Sequence, residues 1–498
     1  MTRIFTFIFI LFISVNLMAQ HQHGAHCGVT TADQKAMIQF VEAYKKKNNI
    51  DPRNEDLVYV PIKFHLVADD NGDGRINADA VLEQMTVMIN DYKAVGMYLY
   101  IEDESFSYID NTSIYSNPST FELVTKSKKD GNSVNIFICE NANTPSGQGT
   151  TLGYYSPSGD FIIVRKQDVN NATSTLSHEL GHFFSLPHTF YGWEGGWNPE
   201  DFNGQVSIMF APGTSIPVEL VDGSNCDVAA DRICDTPPDY NFGFGVSGCT
   251  FNETVLDKNG DLIDPMEENF MGYFIGCDEY EWTPGQVDVM RDNFFSPLRG
   301  NINLDFIPDT THIENTHEFI TPNAAETLEY YDNVFVDWTD AENANNYLVI
   351  ISNSSEYHEY YTTESEIYVN DLSPDGIYFV KVKPFNDGYT DTDIINRLFR
   401  TGDLLSSSQE SSILKSLNVF PNPAQTGQAL NIEVNIEKSI ETSIDIINMQ
   451  GQRVYSQVRN LQQGANQISI ETPNMPAGLY MLNIETEDGA VQRKIIIQ

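Results

Sequence analysis

At 498 residues the chain is long enough for about three domains, each burying its own core. Its 28 basic and 70 acidic residues leave a formal net charge of −42, which repels phosphate backbones and anionic membranes and argues against nucleic-acid binding. A hydrophobic share of 41% marks a globular chain and not a disordered one. Met1 to Ala19 has the form of a secretory signal peptide, with Arg3 near the start, an apolar run from Ile4 to Ile13 and small Ala19 before a polar stretch. The run is too short to span a bilayer, and no other segment comes near a span's length, so no transmembrane helix is expected. Residues 20–56 are polar and helix-prone, with QKAMIQFVEAYKKKN as an amphipathic candidate, and suit a pro-segment. Cys27, in HCGV, has three readings: an odd surface cysteine, a metal collector with His21, His23 and His26, or a thiolate filling a metal's open position.

A folded domain is expected over residues 57–300. VYVPIKFHLVA reads as a strand with His65 packed in the core. Residues 77–95 have helical periodicity through Val81, Met85, Met88, Ile89 and Tyr92. Asp69, Asn71, Asp73 and Gly74 look like half of an EF-hand loop, but Ala80 stands where the bidentate glutamate belongs, so a surface turn is expected. Residues 97–109, 134–139, 151–155 and 161–165 read as strands, with Cys139 a buried thiol. A strand just ahead of the next helix is where such a domain keeps a free edge, to which an extended peptide can add. That helix is expected to start near Asn171 as its cap.

The helix carries HELGHFFSLPH, His178 to His188. His178 and His182 are four apart and share one helix face. His188 follows after a gap that lets the chain turn back to the same point. Three neutral imidazoles and one water make the open coordination of a catalytic zinc, and Glu179 is placed to reach that water. Glu194 or Glu200 is a substitute third ligand. A purely structural zinc would need a fourth protein ligand. Further on, ENFMGY holds Met271 and Tyr273, and TPGQVDVMRDNF is a helix capped at Thr283. Cysteines at 226, 234, 249 and 277 would pair in a secreted chain, with three connectivities open. Asp278, Glu279 and Glu281 lie close after Met271 and suggest a preference for basic residues beside a cleaved bond.

HELGHFFSLPH followed by ENFMGY resembles the metzincin metallopeptidases, whose pattern is HExxHxxGxxH with a methionine turn. Ser185 departs from it at the glycine position, where serine costs about 1 kcal/mol or more if φ is positive. VDGSNCDVAADRICDTPPDY resembles the pappalysin and ulilysin group within that class. The resemblance implies an α+β zincin domain that hydrolyses internal peptide bonds of proteins. Zinc would sit on His178, His182 and His188, with Glu179 as general base, Met271 as an apolar floor and Tyr273 stabilising the transition state. Calcium would be held by Asp231, the Cys234 carbonyl and Thr236, with Asp235 nearby. Cys27 and Gly28 would form a latency switch on the zinc. Cys226–Cys234 and Cys249–Cys277 would be the bridges, the second most favoured. The alternative class is a surface adhesin with a degenerate zincin domain, for which Ser185 is the only support.

Residues 301–317 read as a linker. Residues 318–402 alternate apolar and polar in VFVDW, YLVIIS and IYFVKVKPFN, and LSPDGIYFVKV resembles the fibronectin type III pattern. A second linker, 403–414, leads to residues 415–498. There LNVFPNPA, MPAGLYMLNIE and the terminal QRKIIIQ resemble the sorting domain of type IX secretion. The expected fold class is therefore multidomain: an α+β zincin followed by two all-β sandwiches. The expected partners are peptide substrates and the outer-membrane secretion machinery, and the expected location is outside the cell or on its surface.

Overall fold

A computed structural model describes residues 25–47, 57–102, 106–143, 150–196, 204–246, 248–403, 414–448, 452–470, 475–486 and 489–498. The signal-peptide stretch, His21, His23, Glu200 and nearly all of the 403–414 linker lie outside the described residues. The chain divides into two compact units, Met1–Ile313 with Phe385–Thr392, and Glu314–Pro384 with Asp393–Gln498.

The first unit is mixed α+β. It opens with β1 (Ala25–Cys27) and helix α1 (Thr31–Lys45), which Thr30 and Asp33 close with a capping box. A sheet follows from β2 (Val58–Ala68), β3 (Met97–Ile101), β4 (Ser107–Asp110), β5 (Val134–Cys139), β6 (Thr150–Ser156) and β7 (Phe161–Arg165). Its order is β1-β6-β7-β5-β2-β3, with β4 also on β2. The central strands are parallel; β6 runs antiparallel to β7, and β1, parallel to β6, shares its reversed direction. Parallel strands covered on both faces read as unbroken apolar runs, which is why β2 is buried almost end to end. Helix α2 (Ala78–Lys93) packs its Val81, Leu82, Met85, Met88 and Tyr92 stripe against this sheet. Short helices α3 (Thr112–Ser116) and α4 (Glu122–Lys126) precede β5.

His65 is a core residue: its Nε2 meets Asn135 Oδ1 at 2.9 Å, and its ring stacks on Phe137 at 4.2 Å. Cys139 is a buried free thiol. Asp69 Oδ1 accepts the N–H groups of Asn71 and Asp73 at 2.8 and 3.0 Å, so that loop is a turn tied by its own carboxylate.

Three expectations need correcting. The run 97–109 is two strands, β3 on the first half of β2 and β4 on its second half. The helix that carries HELGH starts at Thr175 and not near Asn171. Asn170 Oδ1 accepts Ala172 N–H at 2.9 Å and Thr173 Oγ1 donates to the Asp168 carbonyl at 2.7 Å, which holds these residues in a turn. Finally, β7, the strand just ahead of the helix, is interior. The edge belongs to β6, and β1 lies along it.

Beyond helix α5 (Thr175–Phe183) the chain makes little regular structure until α6 (Pro284–Phe294), capped by Thr283. An aromatic cluster of Phe190, Trp193, Tyr240, Phe242 and Phe274 supplies the core there. Disulfides Cys226–Cys234 and Cys249–Cys277 fasten it. Those are the two bridges the resemblance implied.

The second unit consists of β-sheets. Strands β8 (Phe319–Thr321), β9 (Glu326–Thr327), β10 (Val334–Trp338), β11 (Asn346–Ser352), β12 (Tyr357–Thr362), β13 (Glu366–Val369), β14 (Ile377–Phe385) and β15 (Ile395–Arg400) form two sheets, β13-β10-β8 and β12-β11-β14-β15-β9. Trp338 is buried edge-on against Tyr347 at 5.3 Å. Tyr378 is buried, and its hydroxyl accepts Ser373 N–H at 2.8 Å and donates to Glu356, a tyrosine corner. Strands among the described residues of 414–497 form two more sheets, with Ile432, Val434, Ile444, Ile446, Leu482 and Ile484 in their core. Among the described residues no helix is long and apolar enough to cross a membrane.

Candidate active site

Every residue of α5 from Leu176 to Phe183 is buried, so the helix holds its polar side chains inside the protein. His178, His182 and His188 close on one another, with ring centroids 4.7 Å apart for His178 and His182, 4.7 Å for His182 and His188, and 5.3 Å for His178 and His188. His178 Nδ1 donates to the Phe270 carbonyl at 2.6 Å and His182 Nδ1 to the Leu186 carbonyl at 2.7 Å. These bonds fix the tautomers, leaving Nε2 lone pairs pointing inward. His178 Nε2 is buried without a partner, and the Nε2 atoms of His182 and His188 face each other at 3.1 Å. Burial pushes His178 down to about 4 and drives His182 well below its ordinary value, so both rings are neutral. Donor atoms of Cys27 and the three histidines all lie within 4.8 Å of one another. An orphaned, inward-facing Nε2 on His178 beside two further imidazoles and a thiol is what a cation would satisfy, so these residues fit a metal.

Glu179 is fully buried beside them, with Oε1 unpartnered. Burial pushes its carboxyl up to about 8. Cys27 Sγ donates to Glu179 Oε2 at 3.5 Å. Burial first, then the Glu179 charge, push the thiol up, so it becomes a thiolate only where a cation compensates. Tyr273 donates its hydroxyl to the Cys27 carbonyl at 3.3 Å and sets its ring 4.9 Å from His188. Burial holds the phenol protonated.

The turn after α5 depends on Ser185, whose φ is +69°. The serine takes the left-handed conformation that glycine supplies elsewhere. Leu186 N–H then bonds back to the Gly181 carbonyl at 3.0 Å, and Ser185 Oγ accepts from Asn293 at 2.7 Å. The departure from the pattern therefore leaves the turn and His188 in place. Asn293 also accepts from the buried Arg299 at 3.0 Å, and Arg299 donates to the Phe183 carbonyl at the end of α5.

Met271 is wholly buried, and its sulfur lies against Gly181. A Cβ on Gly181 would stand 2.6 Å from Met271 Sδ and 3.0 Å from the Trp282 ring. Gly181→Ala is therefore expected to cost about 1–3 kcal/mol by overpacking, read as a lower midpoint in denaturant unfolding. An unchanged midpoint would mean that the methionine and helix do not touch.

Asp231 and Thr236 come together: Thr236 Oγ1 lies 3.1 and 3.0 Å from the Asp231 oxygens and 2.5 Å from the Ile233 carbonyl. Asp235 caps α6 instead, accepting from Thr283 Oγ1 and Gly285 N–H at 2.9 and 2.7 Å. Sequence reasoning missed Glu219, whose buried Oε2 has no partner and whose carboxyl is raised by burial and then by the Asp231 charge. A lone glutamate in an irregular stretch carries no spacing signal. Glu194 turns to Gly192 N–H and to Gln34, away from the histidine cluster. A cleft of about 800 Å³ borders the site, lined by Asp278, Glu279 and Glu281 and, from α2, Asp91. It shares Ser174 and Tyr280 with the pocket over His178 and Glu179.

The sequence matches known proteins in its first and last domains. Residues 153–294 match the family described as Pregnancy-associated plasma protein-A, and residues 418–498 match the Secretion system C-terminal sorting domain. An extracellular metalloprotease of Arthroderma gypseum is 24% identical over 247 residues, covering 46% of this chain and 69% of that one. One from Colletotrichum graminicola is 24% identical over 297 residues, covering 54% and 90%. Among solved structures, chicken CNTN1 FN1–FN3 domains align at 13% identity over 34% of this chain and 65% of that one, with a TM-score of 0.16. Dimeric latent PorU from Porphyromonas gingivalis aligns at 11% over 36% and 20%, with a TM-score of 0.15. Neither score bears on the fold.

The chain thus carries a metzincin-type metalloprotease domain with a metal-binding residue cluster. That domain is of the pappalysin kind, and the chain ends in a type IX secretion sorting domain.

Proposed function

We propose that this chain is a secreted, zinc-dependent endopeptidase made as a latent precursor. The observation that carries the reading is the meeting of three buried imidazoles beside a buried carboxyl group. Nitrogen donors in threes, with a thiol within reach as a fourth, suit zinc. Zinc held there supplies Lewis acidity to a peptide carbonyl and a nucleophile from water near neutral pH. Glu179 takes the proton of the attacking water and hands it to the leaving amine. Tyr273, kept protonated, donates to the oxygen that gains charge on the attacked carbonyl. The substrate lies along the edge of β6. In the precursor β1 occupies that edge in parallel and Cys27 takes the fourth place among the donors. A signal peptide and the C-terminal domain direct two-step export. The adhesin reading loses its support once Ser185 is seen to form the turn. The test is digestion of casein by the processed protein: expected to stop with a chelator and return with zinc. Chelator-resistant digestion would overturn the reading. Sequencing the cleaved bonds reads the acidic cleft, where a basic residue on one side is expected and its absence dismisses that role.

Calcium fits the second cluster. Asp231, Thr236 and the Cys234 carbonyl, joined by Glu219 and the Ile233 carbonyl, offer hard oxygen donors, and the orphaned Glu219 Oε2 lies in the field of the buried Asp231 carboxyl. Both carboxyls are raised when folded. Unfolded carboxyls release their protons near ~4, so without a cation stability falls as pH rises above that value. Calcium at about 100 times its Kd should restore about 2.7 kcal/mol, or about 5–10 °C in Tm at pH 7, and much less at pH 5. A Tm indifferent to calcium at both pH values would remove this site.

A further inference from the structure

Helix α1 buries Met37, Ile38 and Val41 as one stripe, and Gln34 continues that stripe with no exposure at all. A buried carboxamide is costly unless both its ends are paired. Here both are: Nε2 donates to Glu194 Oε1 at 3.1 Å, and Oε1 accepts His188 N–H at 2.9 Å. The pro-segment reaches this point by crossing the whole site. Cys27 pairs on β6, Gly28 N–H bonds to the Gly153 carbonyl at 2.8 Å, and Thr30 then starts α1. The pro-segment leaves the edge at Thr30, and a substrate side chain that reaches past the histidines on that side meets the same carboxylate and N–H. This pair lies beyond the C-terminal end of α5, whereas the acidic cleft lies at its N-terminal end through Ser174.

We propose that Glu194, with the His188 N–H, is a specificity-determining subsite that Gln34 fills in the precursor. On this account the processed enzyme uses it to select a side chain with N–H donors: glutamine, arginine or lysine. The inference rests on the peptidase reading above. Glu194 acts here by touching substrate and takes no part in the chemistry. Charge-assisted hydrogen bonds suggest about tenfold or more between an arginine and a leucine peptide.

The test is kcat/KM of the processed enzyme on peptides varied one position at a time, for wild type and Glu194→Gln. Wild type is expected to favour arginine, lysine or glutamine over leucine at one position, on the opposite side of the cleaved bond from any preference set by Asp278, Glu279 and Glu281. In Glu194→Gln the arginine-to-leucine ratio there should fall about tenfold, with zinc content and the other position's preference unmoved. A wild-type profile without such a preference overturns the inference even if the variant does not fold. So does a ratio that stays put, or an equal loss on every peptide, which marks a structural role. Failure to cleave any peptide strikes the peptidase reading itself, and this inference with it.

Discussion

Glu179→Ala is expected to lower kcat by about 10²–10⁴-fold while one zinc per chain stays bound. The carboxyl is wholly buried, one of its oxygens meets the Cys27 thiol and the other is unpartnered, open to a reacting group. It is not among the four clustered donors, which is why metal content should not follow activity. Casein digestion and zinc measured on the same sample check this. A variant that keeps its turnover refutes the general-base role. One that loses zinc with it makes Glu179 a ligand or a structural group instead.

The second large effect is at Cys27. Cys27→Ala in the full-length precursor is expected to raise peptidase activity about tenfold or more, since a tethered competitor acts at an effective concentration of order millimolar. The gain should stop short of the processed enzyme. The alanine variant still carries β1 on β6, the Gln34 contacts, the Arg232–Glu42 pair and Lys47 on Asp292 at 2.5 Å. The measurement is cleavage of a fluorogenic peptide by precursor whose intact length is verified on a gel. A variant no more active than wild-type precursor ends the latency role of the thiol.

Much of this site was legible because its chemistry fixes its spacing. His178 and His182 at four residues, Glu179 between them, and Met271 in a tight turn are positions where the metal and the helix period dictate the letters. The long elements were legible for a similar reason, since β2 and α2 bury continuous or periodic apolar sets. What could not be read depends on partners distant in sequence. Gln34 is an unremarked residue of an amphipathic helix until Glu194 and His188 N–H come to it across the fold. Asn293 and Arg299 steady the end of α5 from another helix and loop. Glu219 and Asp91 sit in stretches with no motif. Gly181 occupies a wild-card place in HExxH, so nothing in the pattern announced its contact with Met271. The start of α5 was placed early because Asn171 has the chemistry of a cap, while Asn170 and Thr173 spend theirs on a local turn.

X-ray absorption at the zinc edge, taken on the precursor and on the processed enzyme, measures the coordination directly. The expected precursor spectrum has three nitrogens at ~2.0–2.1 Å and one sulfur at ~2.3 Å. In the processed enzyme the sulfur should be gone and an oxygen in its place. Fewer than three imidazole nitrogens, or a shell closed by a fourth protein donor after processing, would contradict a catalytic metal at His178, His182 and His188.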